Sequence, residues 1–191
     1  MIPVMTNVDK SGRESLDVIS LEFKDRVIYL IDEITSGSAT ETISQLHQLD
    51  KSRGEITLYI NSPGGSLTAG LAIVDAIRLC RNPVSTVATG IAASTAAIIL
   101  ACGEPGKRFI TENCDIMIKQ PGGDSRGQAS DILIYRDHII DTRSKINLLL
   151  SAATGKCVEE IAADTERETW FTSSGAVQYG IADALMAKND I

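Results

Sequence analysis

The stretch Ile56-Thr57-Leu58-Tyr59-Ile60-Asn61-Ser62-Pro63-Gly64-Gly65 decides the fold. Its first five residues are strand-sized and rich in β-branched side chains, and the Asn-Ser-Pro-Gly-Gly cluster after them is turn chemistry. Leu67, Leu71, Val74 and Ile77 then recur at helical spacing until Asn82-Pro83 ends the helix. Upstream, residues 27–31 form another five-residue apolar run. Between the two runs, Ser38 followed three residues later by Glu41 has the pattern of a helix capping box, with Ile43, Leu46 and Leu49 behind it. Downstream, residues 84–89 predict a third strand and Gly90 a break. Residues 94–102 predict a helix so apolar on every side that it must be buried all round. Strands alternating with helices imply an α/β fold of repeated βαβ units with a largely parallel sheet. Ligands then belong at the carboxyl ends of the strands, so chemistry is expected at residues 61–65, 90–94 and the segment after Ile118.

Further along, residues 108–110 and 116–118 are strand-like, and Gly122-Gly123-Asp124-Ser125-Arg126-Gly127 is a glycine-rich segment. From residue 128 to about 153 a long helix is expected. Ile132, Ile139 and Ile146 mark its apolar face, and Arg136, Asp137, Arg143 and Lys145 the others. This helix exceeds what a small core needs; either it covers the sheet or its end projects onto another subunit. Residues 158–163 and 174–178 predict two short helices, the second closed by Gly180.

With 191 residues, 43% apolar and 23% charged, the chain suits one domain with its own core. Lys and Arg number 18 against 25 Asp and Glu, a formal charge of -7 that repels a phosphate backbone, so no nucleic-acid partner is expected. The longest apolar stretch, residues 91–102, is broken by Ser94 and Thr95 and is too short for a hydrocarbon layer of about 30 Å, so no membrane partner is expected either. Residues 1–13 lack the basic start and apolar run of an export signal, which makes the cytoplasm the expected location. Cys80, Cys102, Cys114 and Cys157 form no CxxC pair and are expected as reduced, mostly buried thiols, with no metal and no cofactor.

Ser94 stands at a strand-to-helix junction, where its hydroxyl can face a cleft and the first helical N–H groups lack internal partners. Taken alone it reads as a helix N-cap. As a nucleophile, it would have Thr95 N–H beside it, and the Gly64-Gly65 turn could bring a second N–H to hold the oxyanion of a tetrahedral intermediate.

The segments Arg26-Val27-Ile28-Tyr29-Leu30, Leu58 through Gly65, Ala92-Ala93-Ser94, Gly106-Lys107-Arg108-Phe109, Met117-Ile118-Lys119-Gln120-Pro121, Gly127-Gln128-Ala129-Ser130-Asp131 and Asp164-Thr165-Glu166-Arg167-Glu168 occur in order. From Ile2-Pro3-Val4-Met5 to Ala182-Asp183-Ala184-Leu185, the chain resembles the Clp-type serine peptidases, the proteolytic subunits of ATP-dependent Clp proteases. The resemblance implies a Clp/crotonase-type α/β fold with a protruding long helix. Residues 16–121 and 155–191 would form a head, 122–154 a handle and 1–15 an axial segment lining a pore. It implies a chain that cleaves unfolded polypeptide inside a chamber of two stacked seven-membered rings. The handle helix and a strand at residues 122–127 would interlock the rings. On this pattern Ser94 falls on the nucleophile and Gly65 and Thr95 on the oxyanion-hole positions. Gln120, Asp164 and Arg167 fall on positions that tie rings together, and Tyr59 in the docking pocket for an unfoldase ATPase. The plain reading of Asp164 and Arg167 is a solvated helix-end charge pair. The chain has no GxxxxGK[ST] loop, so ATP dependence would come from that partner.

Two departures stand out. The family has histidine where this chain has Lys119, and aspartate where it has Glu168. A lysine accepts the serine proton only when neutral. Bringing its value from about 10.4 to about 7.4 takes roughly 4 kcal/mol of destabilisation of the ammonium. A neighbouring Glu168 acts in the opposite sense, so the pair reads better as a salt bridge than as a Ser-Lys dyad. Ser-Lys peptidases of the same superfamily draw their lysine from a different position. His47, on the first helix, and His138, on the long one, are not obvious substitutes. Three functions follow: a Clp-type endopeptidase with an altered Ser94-Lys119-Glu168 site, a catalytically silent ring subunit working with a competent paralogue, and, remotely, a crotonase-type acyl-CoA enzyme.

Overall fold

Alternating burial builds the sheet. In β4 (Ile56–Ser62) every second residue is buried, and in β3 (Val27–Ile31) Ile28 and Leu30 are, because a pleated strand sends successive side chains to opposite faces. β3 and β4 run parallel, with Val27 opposite Thr57, and β4 runs parallel to β5 (Val84–Ala93). The first five residues of β5 are all buried, as a central strand covered on both faces requires. The computed structural model describes residues 4–9, 12–123 and 126–187.

β5 serves two further neighbours. Residues 86–88 pair with β6 (Arg108–Ile110) and residues 91–93 with β7 (Asp115–Ile118), both parallel. Gly90 lies between the two ladders and does not end the strand, contrary to the expected break; the strand continues through it with φ +66°. β9 (Ala184–Leu185) joins β6 in parallel, and β8 (Thr169–Phe171) joins β7 antiparallel. A separate hairpin of β1 (Val4–Asp9) and β2 (Gly12–Asp17) leads through α1 (Val18–Lys24) into the sheet. These terminal elements and β8 are too short or too polar to announce themselves by periodicity.

α2 (Ser36–Leu49) starts earlier than expected. Its N-cap is Thr35, whose Oγ1 accepts from Ser38 N at 3.2 Å while Thr35 N donates to Ser38 Oγ at 2.9 Å. The capping box is therefore Thr35 with Ser38, not Ser38 with Glu41; Thr35 is already in the extended conformation that an N-cap adopts. α3 (Leu67–Leu79) is capped by Ser66. All seven residues of α4 (Thr95–Ala101) are buried, as the sequence requires, packed among β5, β7 and α3. Leu30, Leu58, Ile60, Ile99, Ile110 and Ile116 are the centre of the core.

α5 (Ala129–Thr154) buries only Ile146, Asn147 and Leu150. Ile132, Leu133, Ile134 and Ile140 are exposed, so the first half of the helix stands off the body and only its last third packs. That decides between the two readings of the helix: in this chain it projects rather than covers the sheet. Residues 122, 123, 126 and 127 form no strand, since the single chain offers that segment no ladder to join; Asp124 and Ser125 lie outside the described residues. α6 (Val158–Asp164) and α7 (Ser173–Tyr179) follow, α7 closing on Gly180.

The C-terminal ends of α4 and α5 are tied by one side chain. Arg108, nearly buried, pairs with both oxygens of Asp183 at 2.5 and 2.9 Å, and its Nη1 donates to Ala101 O and Ala153 O. Of the cysteines only Cys114 is buried; Cys80 and Cys102 are half-buried and Cys157 is exposed, which corrects the expectation of mostly buried thiols. Among the described residues no helix is long and apolar enough to cross a membrane.

Candidate active site

Ser94 N donates to Met117 O at 2.7 Å, extending the β5–β7 ladder one step past Ala93. The backbone then turns sharply into α4, with Ser94 at φ +54° and ψ −116°. These are the angles of the first central residue of a type II′ turn, where glycine is at ease and serine is strained by about 1–3 kcal/mol. Ser94 occupies the N-cap position of α4, yet its hydroxyl makes no capping hydrogen bond, so the plain cap reading does not use the side chain.

The Gly64-Gly65 turn abuts this junction. Gly64 has φ +94°, and a Cβ on it would lie 2.6 Å from Ala93 O and 3.3 Å from Thr95 N, so no other residue permits the approach. Ile34 clamps the turn from the other side, donating from its N to Gly64 O at 2.8 Å and accepting at its O from Ser66 N at 2.7 Å. Thr95 Oγ1 donates to Gly65 O at 3.4 Å. Among the described residues, neither Gly65 N–H nor Thr95 N–H finds an acceptor. Two unbonded amides beside an unbonded hydroxyl are suited to hold an oxyanion.

Register brings in the other two residues. Ile118 of β7 lies opposite Thr169 of β8, so one further step of the antiparallel ladder sets Lys119 against Glu168. Lys119 Nζ lies 3.0 Å from Glu168 Oε1, with the side chains 40% and 51% exposed. The hydrogen bond and the charge of Lys119 hold the Glu168 carboxyl below the usual carboxylate range. Gly65, Ser94, Thr95 and Lys119 line one cavity of about 360 Å³, whose apolar wall is Leu67, Ile98 and Ile146. Glu168 is joined to it through Lys119. No hydrogen bond links Lys119 Nζ with Ser94 Oγ.

A family model described as Clp protease matches residues 10–189. The chain belongs to the Clp protease family. Its mixed α/β body with a parallel sheet and a 26-residue helix is consistent with the Clp protease fold. Membership makes this chain a Clp protease-like subunit.

The remaining residues singled out from the sequence lie at separate places in this Clp-type chain. Gln120 lines the cavity and anchors its rim, donating from N to Thr165 O at 2.6 Å and from Nε2 to Glu166 O at 2.8 Å. Asp164 accepts from Tyr179 OH at 2.7 Å, while Arg167 is exposed with no carboxylate partner among the described residues. The helix-end charge pair read for Asp164 and Arg167 is thus not formed; the tyrosine hydroxyl has taken the carboxylate. Tyr59 stacks on Tyr29, ring centroids 5.5 Å apart, in a separate cavity of about 680 Å³ with Val27, Val87 and Phe109. His47 and His138 are exposed and do not line the cavity that holds Ser94. Sequence reading missed Ile34 and the carbonyl of Met117, which hold the turn and the serine by backbone bonds that any side chain permits.

Proposed function

We propose that this chain is a Clp-type ring subunit in which Ser94 is the nucleophile, Gly65 and Thr95 N–H are the oxyanion donors, and Lys119 and Glu168 replace the usual base and its orienting acid. For peptide-bond cleavage, Ser94 Oγ must bond to the carbonyl carbon as its proton passes to a base, which then returns a proton to the departing amine. An ammonium cannot take the first proton. The observation that carries the reading is the 3.0 Å contact of Lys119 Nζ with Glu168 Oε1, which engages the amine in an ion pair while no hydrogen bond joins it to Ser94 Oγ. The chain acting alone is therefore a slow or silent hydrolase of unfolded polypeptide.

In this reading the subunit assembles with copies of itself in stacked seven-membered rings. Residues 16–121 and 155–191 form the head, 122–154 the handle and 1–15 the axial segment. Gln120, Asp164 and Arg167 serve contacts between rings, Tyr59 receives an ATP-dependent unfoldase, and a competent paralogue supplies turnover. The cytoplasm is the proposed location. A second reading, turnover by Ser94 with neutral Lys119, is favoured by the cavity these two side chains share.

Labelling with a serine-directed fluorophosphonate separates them. The proposal expects little labelling of the purified chain at pH 7, and labelling raised at least tenfold in the double variant Lys119→His with Glu168→Asp, read by gel fluorescence. Ready wild-type labelling that is lost in Ser94→Ala would establish the dyad instead. A silent wild type together with a double variant that sediments as the same particle yet stays unlabelled would defeat both.

A further inference from the structure

Resting on the reading of Lys119 as a held ammonium, we infer that the Ser94 cavity is a binding site for the free C-terminal carboxylate of a peptide. Four groups around it offer hydrogen to an anion: Gly65 N–H, Thr95 N–H, the Ser94 hydroxyl and the Lys119 ammonium. The two amides and the hydroxyl have no partner among the described residues, and Lys119 Nζ spends one of its three N–H groups on Glu168 at 3.0 Å. A carboxylate satisfies such a set: its two oxygens accept several hydrogen bonds and its charge complements the ammonium.

Charge and shape narrow the ligand. A neutral amide in the same place offers one acceptor oxygen where the acid offers two and adds donors where the wall already donates, so a peptide with a blocked terminus is discriminated against. Leu67, Ile98 and Ile146 beside the cradle suit an apolar side chain on the terminal residue. A cavity of about 360 Å³ holds one such residue with its carboxylate, while the rest of the peptide leaves through the opening. The same substitution that removes the base thus converts a site for a scissile bond into one for a chain end. The ligand class is short peptides ending in a free apolar residue, the products of peptide-bond hydrolysis elsewhere.

The test uses fluorescein-labelled Ala-Ala-Leu as the free acid and as the C-terminal amide, with fluorescence polarisation on the full-length protein at pH 7. The acid is expected to bind about tenfold more tightly than the amide, with that preference falling as salt is raised from 50 to about 300 mM. Lys119→Met should abolish the preference and Lys119→Arg should keep it, while Glu168→Gln, which frees the ammonium, should strengthen binding of the acid. Equal affinity for acid and amide, no binding of either, or a preference that survives Lys119→Met overturns the inference. Chromatography of the same mixtures separates this outcome from failure of the proposed function. Rapid cleavage of an internally blocked peptide refutes the held ammonium whether or not the acid binds.

Discussion

At the scale of single residues, strain marks the serine. Ser94 holds angles that favour glycine, and it does so between two fixed points: its N–H on Met117 O and the first turn of α4. Removing the Cβ should relieve the strain, whereas removing only the hydroxyl should not. Ser94→Gly is therefore expected to be more stable than Ser94→Ala by about 1 kcal/mol in urea unfolding, although glycine ordinarily costs stability relative to alanine. The reverse order would mean that the turn carries no strain. Lys119 and Glu168 illustrate a different point. Their types are legible in the sequence, but their meeting at 3.0 Å across 49 residues of chain is a product of the β7–β8 register.

At the scale of elements, the tie between Arg108 and Asp183 joins β6, the end of α4 and the end of α5 to the segment before β9. Burial pushes the Asp183 carboxyl up, but the hydrogen bonds and charge of Arg108 outweigh it and hold the carboxyl below the usual range. A lowered carboxyl stabilises the fold fully above its unfolded value of about 3.9, and this contribution is lost as pH falls through the lower folded value. Asp183→Asn leaves a nearly buried guanidinium without its anion and should cost about 3–5 kcal/mol at pH 7. The gap between wild type and variant should close in acid, as followed by thermal melts from pH 7 to pH 2; a gap independent of pH would show that the ion pair contributes nothing. The elements themselves were largely readable. β3, β4, α3 and α4 follow from hydrophobic periodicity alone, because each buries a face or a whole surface. α2 began earlier than its apparent box because Thr35, preceding the periodic residues, caps it and Ser38 serves as the box's third residue.

At the scale of the whole molecule, α5 projects with Ile132, Leu133, Ile134 and Ile140 exposed, Ile134 at 69%. Exposed apolar side chains at neighbouring turns of one helix are what a second copy would cover. If the proposed stacked rings form, Leu133→Asp with Ile134→Asp is expected to shift the particle toward single rings or monomers in light scattering, with the far-ultraviolet spectrum unchanged. An undiminished particle would remove α5 from the assembly proposal.

Local pattern by itself determined the α/β class, the order of the main elements and the buried nature of α4, since hydrophobic period, turn residues and glycine placement act within a few residues of one another. Together with the ordered motifs it marked Ser94, Lys119 and Glu168. The tertiary structure alone decided that β5 would split its edge between β6 and β7, that Ile34 would clamp the Gly64-Gly65 turn against Ser94, and that Lys119 would face a carboxylate in a cavity shared with the serine. These arrangements depend on strand register and on backbone bonds between distant segments, and such bonds leave no preference for particular side chains in the sequence.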